Sequence, residues 1–539
     1  MERDRGSLKT AAAALSLAVA IAGCATQEGQ PGHYGAARLG MVNFPVSCNA
    51  TAQREFNTAM AYYHSFAWAQ IREPLERALA ADPQCGMAHW LRALAALDNP
   101  FIWPGIISQS TLASGPDILE TARKAGLKSQ RERDYVDALD SFFKDHGKLD
   151  HRTRAKALET GLERVMQRYP EDKEAAILYA LVLSANFDPT DRKYTNQLKA
   201  AGVLEPIFKQ QPRHPGVAHY LIHSYDYPPI ASQGLDAARR YSRIAPDAAH
   251  ALHMPSHIFT RVGAWKESIE SNRESARVAG DKGFDKWHAY DYMVYAHLQL
   301  GQHRAAQALV AEAQKVAPLA DHPATGYAFA AMPARLLLER GAWQEAAQLE
   351  LRPAADTFPW KKYPFTEAIN AYARGIGAAM GGDAAAARAQ ADRLQTLRGA
   401  MKVPYWVEEM GIQTEVVLGL ALCAEGNRSG CIARLRAAAA REDATEKHVI
   451  TPGRLMPARE VLAYAVLESG DAAAALKEFE TVLHRDPNRL RAFAGASRAA
   501  ERSGDRNKAA SYAGRVVQLA EAADTQLDDI AHAKSLLGR

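Results

Sequence analysis

The chain has 539 residues, of which 65 are Lys or Arg and 61 are Asp or Glu, so its formal net charge is only +4. Nucleic-acid-binding proteins usually carry a strongly basic face, and this near balance gives no reason to expect a nucleic-acid partner. Alanine, the best helix former, dominates whole stretches, whereas strand-type runs of Val, Ile and Thr are scarce. The composition therefore predicts an all-α fold, long enough for one large repeat array or several domains.

The first 23 residues have the pattern of a targeting segment. A charged start is followed by an apolar run over 11–22, which is too short for a comfortable membrane span. The run ends in Ile21-Ala22-Gly23-Cys24, which resembles the lipobox of bacterial lipoproteins. The resemblance implies a signal peptide over 1–23 and lipidation of Cys24, which becomes the mature N-terminus.

By the same resemblance, Ala25 in place of an aspartate implies delivery to the outer membrane of a Gram-negative bacterium. The protein would face the periplasm and contact the membrane through its lipid anchor only. The alternative is a plain secretory signal with an incidental cysteine. Residues 24–47 contain several glycines and Pro31, and they predict a flexible tether.

Glycine turns recur along the chain, each expected to separate two helices, and Asp-Pro or similar stops end the second helix. The turns are Gly263-Ala264-Trp265, Gly341-Ala342-Trp343, Gly470-Asp471 and Gly504-Asp505. The last two turns are one 34-residue period apart. Most of residues 50–525 thus resembles the tetratricopeptide repeat family, with the most specific agreement over 466–487.

This resemblance implies an all-α, right-handed superhelical solenoid of helix-turn-helix repeats, whose concave groove is the usual binding surface. We expect an N-terminal array over 48–350 with a His-rich inner face. A C-terminal array over 351–525 and a C-terminal helix or tail over 526–539 would follow.

Four cysteines remain if Cys24 is lipidated, and an even number permits two disulfides in an oxidising compartment. Cys423 and Cys431 flank a predicted turn, so a bridge across one helical hairpin is plausible. A second disulfide, between Cys48 and Cys85, would crosslink the start of the array. Buried free thiols are the alternative for each pair.

Histidines and aspartates recur at helical spacing in three consecutive segments. The segments are His219-x3-His223-x2-Asp226, His250-x2-His253-x3-His257 and His288-x2-Asp291. Such spacing places the imidazoles and carboxylates of each segment on one face of its own helix. Ordinary helical cores do not need this pattern, so it indicates a surface that binds a metal or performs chemistry.

The repeat register brings these three segments together. Counted from the glycine turns, His219 and His253 occupy the same repeat position, and His223 and His257 occupy a second shared position. His250 and His288 occupy a third shared position. In the tetratricopeptide family, these positions of the first helix point into the groove. The resemblance therefore implies one inner wall, formed by His219, His223, Asp226, His250, His253, His257, His288 and Asp291.

Two histidines four residues apart on a helix can bind one metal ion. The expected cofactor is a divalent transition metal, with Zn, Fe and Cu as the candidates for this nitrogen-rich set. Six histidines and two aspartates exceed the needs of one site, so either two metals bind or some residues contact substrate. A hydrogen-bonded lining of a peptide groove without metal is the alternative.

Pro255 leaves the helix that carries His250 and His253 open to two interpretations. It could kink one continuous helix, because a proline inside a helix removes a backbone hydrogen bond. Alternatively, the helix begins at Pro255, and both histidines lie in a preceding turn. The second case puts their shared face in doubt.

Further candidates for substrate contact or for orienting the metal ligands lie near the wall or in an inter-helix loop around 441–460. They are Tyr225, Arg261, Arg335, Glu446, Lys447 and His448. Superhelical curvature could bring the loop across the groove, where Glu446 and His448 would serve as ligands or acid–base groups and Lys447 would hold an anion. The alternative is a solvated loop. His64 is expected only to pack or cap.

The stretches 219–226, 253–259 and 442–453 resemble a group of bacterial tetratricopeptide-repeat proteins, and this resemblance implies the fold but little about function. The first hypothesis is an envelope-anchored, metal-dependent enzyme acting on a small molecule or peptide. Its principal ligands would be His219, His223, His253 and His257. The alternative is a non-catalytic scaffold that binds a peptide or an envelope protein partner. The sequence contains no nucleophile elbow, phosphate loop or dinucleotide fingerprint.

Overall fold

The computed structural model describes residues 37–281, 283–316 and 319–538 of the chain. The predicted signal peptide, Cys24 and the tether up to residue 36 lie outside these residues. Within them all regular secondary structure is helical, so the predicted all-α class is confirmed. No helix in this part of the chain is both long enough and apolar enough to cross a lipid bilayer.

The helices follow one another with short connections. In chain order they are α1 Ala50–His64, α2 Arg72–Ala81, α3 Gly86–Ala95, α4 Gln109–Ala125, α5 Gln130–Phe143, α6 His151–Arg168, α7 Lys173–Ala185, α8 Thr195–Gln210, α9 Pro215–Tyr225, α10 Leu235–Ile244, α11 Ala249–His253, α12 Pro255–Arg261, α13 Trp265–Ala279, α14 Asp285–Gln299, α15 His303–Ala313, α16 Pro323–Arg340, α17 Trp343–Ala347, α18 Pro364–Met380, α19 Ala384–Ala400, α20 Pro404–Ala424, α21 Arg428–Asp443, α22 Ala458–Glu468, α23 Ala472–Arg485, α24 Leu490–Arg502, α25 Arg506–Leu519 and α26 Asp528–Leu536. Short 3-10 helices occupy Trp68–Gln70, Pro100–Ile102, Ala231–Gly234 and Trp360–Lys362.

Successive helices pack side by side, and alternate helices also pack on one another, as α14, α16, α18 and α20 do. This double set of contacts stacks helix-turn-helix repeats into a solenoid, because each repeat buries its apolar faces mainly against its neighbours. A core of buried Ala, Leu and aromatic side chains extends from Ala276 in α13 to Ala509 in α25. The predicted solenoid of helix-turn-helix repeats is therefore present.

The predicted glycine turns adopt the conformation that requires glycine. Gly263, between α12 and α13, has φ 69°, a left-handed backbone that residues with a side chain rarely adopt. A Cβ atom at this position would also lie 2.3 Å from the backbone oxygen of Pro487. The turn thus lets the C-terminal helices pack directly against the helices that carry the histidines.

The second half of the predicted tether is packed, in contrast to the prediction that it is flexible. Phe44 is fully buried, with its ring centroid 5.5 Å from that of Phe56 and 5.8 Å from that of Trp90. Arg38 pairs with Asp247 at 2.8 Å. An apolar side chain and an ion pair fix this segment, and glycine content alone did not reveal either.

The chain from Arg38 onward forms one compact unit, so the predicted boundary at residue 350 does not separate two bodies. Arg489 is fully buried and pairs with Glu339, 2.7 Å away, and with Glu460. Trp265 Nε1 donates to the carbonyl of Asn488 at 2.8 Å. The C-terminal repeats therefore pack back onto the middle of the chain.

The four cysteines within the described residues are joined in pairs. One bridge links Cys48 to Cys85 with a Cα–Cα distance of 5.0 Å, and the other links Cys423 to Cys431 at 5.2 Å. The first ties the start of α1 to the start of α3. The second closes the turn between α20 and α21.

Candidate metal centre

Two of the helices that carry the histidines, α9 and α14, are buried almost all round. Every residue of α9 is buried, and so is most of α14. A helix that is buried all round needs a partner for each polar side chain, because an unpaired buried polar group costs free energy. The contacts of the histidines on these helices therefore decide what the wall can do.

Pro255 begins a new helix, but His250 and His253 lie in a short helix before it and not in a turn. Helix α11 ends at His253 and α12 starts at Pro255, with Met254 between them in a right-handed helical conformation (φ −53°, ψ −36°). The two histidines on α11 belong to different groups. His250 joins the histidines of α9, whereas His253 joins His257 and His288.

The first histidine group consists of His219, His223 and His250, each of which directs a ring nitrogen toward the others. His219 Nε2 lies 3.1 Å from His223 Nε2 and 3.2 Å from His250 Nε2. His219 Nδ1 lies 2.7 Å from the backbone oxygen of His64, which can only accept a hydrogen bond. His219 therefore carries its proton on Nδ1 and presents an unprotonated Nε2 to the group.

The second histidine group consists of His253, His257 and His288. His253 Nε2 and His257 Nε2 are 3.0 Å apart. His257 donates its Nδ1 proton to Asp226 Oδ2 at 2.8 Å, and His253 Nδ1 lies 2.6 Å from Asn272 Oδ1. Asn272 Nδ2 donates to a backbone oxygen, that of Ser268, so its oxygen must face His253.

Two unprotonated nitrogens consequently face each other in the second group. His253 and His257 both use the Nδ1 proton on an acceptor, so each neutral ring has a lone pair at Nε2. The hydroxyl of Tyr292 lies 3.4 Å from His257 Nε2 but only 3.2 Å from the carbonyl oxygen of Thr451. The hydroxyl therefore donates its single proton to Thr451 and not to His257. Facing lone pairs repel unless a cation, either a proton or a metal ion, lies beside them.

The Nε2 separations match the spacing of ligands around one metal ion. A tetrahedral ion with metal–nitrogen bonds of about 2.05 Å holds its ligand atoms about 3.3 Å apart. The separations of 3.0, 3.1 and 3.2 Å are within a few tenths of an ångström of that value. These atom pairs can thus share an ion, and all three ligand atoms of each group lie within 4.8 Å of one another.

The protonation states favour a metal over a proton. Burial, and then the neighbouring imidazoles, hold the pKa well below its usual value for His219, His223, His250, His253 and His288. Burial also lowers the pKa of His257, although Asp226 opposes this shift. Neutral imidazole is the form that binds metals.

Asp226 was expected to complete the site as a metal ligand or to orient an imidazole; it orients His257 and is not a member of either histidine group. Besides the His257 contact, its carboxylate accepts from Arg261 Nε at 2.8 Å and lies 3.3 Å from Lys447 Nζ. Burial alone would raise the pKa of Asp226, but these cations hold it well below its usual range. The predicted residues Arg261 and Lys447 therefore support the wall through this carboxylate.

Asp291 does not join the wall, so its prediction as a ligand is wrong. Its Oδ1 accepts from Arg335 Nε at 2.9 Å, and both side chains are fully buried. Arg335 also donates to the carbonyl oxygens of Gly453 and Arg454 and to the hydroxyl of Thr451. This arginine therefore anchors a loop instead of contacting the groove.

Residues 444–457, here called the crossing loop, lie against the histidine wall and are largely shielded from solvent. Tyr292 reaches the loop through the carbonyl oxygen of Thr451, and Lys447 reaches Asp226. The loop thus crosses the groove as superhelical curvature suggested, and the alternative of a solvated loop is wrong. Arg335 and Asp226 are two of the buried charges that hold it there.

Three predicted candidates have partners other than the histidines. Glu446 Oε1 accepts from Arg192 at 2.8 Å and from the hydroxyl of Tyr194 at 3.0 Å. The His448 ring packs on Tyr405 and Trp406, with centroids 5.1 and 5.0 Å away, and its Nδ1 accepts the Ile450 N–H. Tyr225 donates its hydroxyl to Glu205. None of the three belongs to a histidine group.

A third cluster, formed by His64, Glu174 and His214, was missed by the sequence analysis. Glu174 bridges the two rings, with Nε2–oxygen distances of 3.0 Å to His64 and 2.9 Å to His214. The remaining ring nitrogens are also satisfied, by the Tyr220 hydroxyl and by the Val217 N–H. Every donor here meets an acceptor, so this cluster is complete without a cation.

The third cluster positions the first histidine group. Its hydrogen bonds fix His64, whose backbone oxygen sets the tautomer of His219. Gly216 permits this proximity, since a Cβ there would lie 2.4 Å from His64 Nδ1. A backbone contact leaves no pattern in the sequence, and His214, five residues ahead of His219, does not have the helical spacing that marks a shared face.

Aromatic rings cover one side of the first group. Phe101 stacks on His223 with ring centroids 3.9 Å apart, and Phe66 stacks on His250 at 5.4 Å. The other histidines of the two groups are at most 4% exposed, but His288 is 8% exposed and His250 is half-buried. Solvent therefore approaches the wall beside His250 and His288.

No family model and no curated protein matches this chain. Solved structures that are similar include a monomeric mutant of IFIT1 with Gppp-AAAA, at 13% identity and a TM-score of 0.39, covering 80% of this chain and 90% of that one. A human IFIT1 dimer with m7Gppp-AAAA is also 13% identical, with a TM-score of 0.36, covering 81% and 90%. Similarity at this level supports no conclusion about the ligands of this chain.

Proposed function

We propose that this chain is a transition-metal-binding protein whose histidine groups form a buried metal centre. The observation that carries the proposal is the 3.0 Å approach of His253 Nε2 to His257 Nε2. Because Asn272 and Asp226 accept both Nδ1 protons, neither ring has a proton to place between them. A metal ion turns this repulsion into coordination.

The donor set points to a nitrogen-preferring divalent metal such as Zn, Fe or Cu. Within the described residues no cysteine thiolate is available as a ligand, since Cys48, Cys85, Cys423 and Cys431 are all in disulfides. Hydrogen bonds from Nδ1 to a carboxylate, an amide or a carbonyl orient the rings and raise their basicity, as is usual for metal-binding histidines. His219, His253 and His257 each have such a partner.

The arrangement favours catalysis over a purely structural role. Three protein ligands leave a coordination position open, which is the pattern of catalytic zinc sites. A bound metal would supply Lewis acidity and lower the pKa of a bound water. The chain supplies the ring orientation, the exclusion of bulk water by Phe66 and Phe101, and the opening beside His250 and His288.

The size of the ligand follows from the crossing loop. This loop occupies the groove beside the second group, where Lys447 and Thr451 are held by buried contacts. Because the loop takes up this part of the groove, we favour a small molecule or a peptide end over an extended peptide as the ligand. A scaffold that binds a long partner along the groove is therefore less well supported.

The envelope location is part of the same proposal. Two disulfides are typical of oxidising compartments such as the periplasm. They agree with the lipobox-like sequence at Cys24, which implies lipid anchoring.

Metal analysis by mass spectrometry of protein purified without an affinity tag tests the proposal. We expect at least one equivalent of a transition metal in the wild type and a loss in the double variant His253→Ala, His257→Ala. The matched control is His484→Ala, which removes an exposed histidine outside the groups. A wild type without metal after incubation with Zn²⁺ or Cu²⁺ would favour the non-catalytic scaffold.

A further inference from the structure

We infer that the two histidine groups form a single dinuclear centre, in which two metal ions share one small bridging anion such as hydroxide. This inference rests on the proposed metal binding and adds the number of ions, their proximity and the class of ligand. Four observations on the described residues support it.

The first observation is the distance between the groups. The His223 and His257 rings, one from each group, have centroids 5.9 Å apart, and those of His250 and His253 are 6.1 Å apart. Within the second group the His257 and His288 centroids are 6.5 Å apart. The other ring pairs within a group are closer, at 4.3–5.0 Å. Rings of different groups are nevertheless closer than the widest pair within a group, and the six histidines form one continuous cluster.

The second observation is the direction of the ring nitrogens. His219, His253 and His257 all turn Nδ1 away from the cluster, toward the His64 carbonyl, Asn272 and Asp226 respectively. Their Nε2 atoms face the other imidazoles. The ligand atoms of both groups thus face into the cluster and not toward the surrounding helices.

The third observation is charge. Neutral imidazoles leave the charge of two divalent ions uncompensated, and the two aspartates that were predicted for the wall already face cations. Asp226 is held by Arg261 and Lys447, and Asp291 is held by Arg335. An additional anion is therefore needed between the ions, because buried charges require compensation.

The fourth observation is access. His250 lies in the first group and His288 in the second, and these are the two more exposed members of the cluster. Both contact His253, with ring centroids 6.1 and 4.3 Å away. The open side of the cluster thus spans both groups, where a small anion can reach both ions and a macromolecule cannot.

Electron paramagnetic resonance of copper-loaded protein tests this inference. The full chain, stripped of metal by dialysis against a chelator, is titrated with Cu²⁺, and bound copper is measured by mass spectrometry. We expect two copper ions per chain and an integrated signal severalfold below that of two isolated ions, because a bridge couples the two spins. Azide should displace hydroxide and change the optical spectrum.

Variants make the outcomes distinct. His219→Ala in the first group and His288→Ala in the second should each leave one bound copper with a full, uncoupled signal, whereas His484→Ala should behave as the wild type. Circular dichroism confirms that each variant folds. Two bound ions with a full signal, or one ion in the wild type, would overturn the dinuclear centre but leave metal binding intact. No bound copper at all would overturn the proposed function.

Discussion

His257 donates its Nδ1 proton to Asp226, 2.8 Å away, and so presents an unprotonated Nε2 to His253. This single hydrogen bond links the charged residues of the crossing loop to the metal-binding face. Asp226 is itself held by Lys447 from that loop and by Arg261 from α12. The Asp226 carboxylate therefore has two roles: it pairs with the cations that stabilise the fold, and it raises the basicity of His257 Nε2.

Replacing Asp226 by Asn should weaken metal binding about 10- to 100-fold, because the residues behind a metal-binding histidine contribute by that factor. The matched control is Asp291→Asn, which removes an equally buried carboxylate that pairs with Arg335 but not with a histidine. Competition titration with a chromophoric chelator measures both affinities. Both variants should lose stability, but only the first should lose affinity; equal affinities would contradict the assigned role.

Arg335→Ala should release the crossing loop. The guanidinium donates to Asp291, Thr451, Gly453 and Arg454, and breaking a buried ion pair of this kind costs about 3–5 kcal/mol. Limited proteolysis followed by mass spectrometry should show faster cleavage within 444–457. Arg335→Lys should give nearly the same result, since a lysine ammonium lacks the planar, forked set of N–H donors with which the guanidinium reaches several acceptors at once. Unchanged cleavage of the loop in Arg335→Ala would refute this anchoring role.

Glu442 should make the protein less stable as the pH rises from about 4.5 to 7. Burial raises its pKa from 4.5 to about 7, against the opposing effect of Arg454. In this window the folded state binds the proton more tightly than the unfolded state, so its stability falls with pH by about 3 kcal/mol in total.

Glu442→Gln removes this proton and keeps an acceptor for the Ala458 N–H, which the glutamate oxygen accepts at 2.8 Å. Urea unfolding of wild type and variant at pH 5 and pH 7.5 isolates the contribution of Glu442 from that of other titrating groups. The variant should gain stability relative to the wild type at the higher pH. The same stability difference at both pH values would show that the carboxyl is ionised throughout.

The two disulfides should contribute unequally to stability. Cys48–Cys85 spans 37 residues and Cys423–Cys431 spans 8. Because a longer closed loop restricts the unfolded chain more, removing the first bridge should cost about 4 kcal/mol and the second about 2.5 kcal/mol. Double Cys→Ser variants compared by urea unfolding give the order, and a larger loss from the short loop would contradict this explanation.

Helical spacing and repeat register predicted the histidine wall, since both depend on local periodicity. His219 with His223 and His253 with His257 are four residues apart, and the structure brings each pair together at Nε2. Register could not distinguish Asp226 from Asp291. Which carboxylate meets a histidine depends on where Arg261, Lys447 and Arg335 lie in three dimensions.

The contacts that fix the tautomers were beyond prediction for a different reason. Asn272 and the His64 carbonyl come from α13 and the end of α1, which meet the wall only after the solenoid has formed. His64 was expected merely to pack or cap, because a backbone acceptor leaves no trace in sequence spacing. The break at Met254 likewise needed the structure, since the sequence allowed both interpretations of Pro255.

The most direct test of the central claim is X-ray absorption spectroscopy of the zinc-loaded protein. Metal coordination by the histidine groups predicts a first shell of nitrogen or oxygen atoms at about 2.0–2.1 Å, with outer-shell scattering from three imidazoles per zinc. The His253→Ala, His257→Ala variant should lose much of that imidazole scattering. A shell of oxygen atoms without imidazole scattering, or a spectrum unchanged in the variant, would contradict the claim.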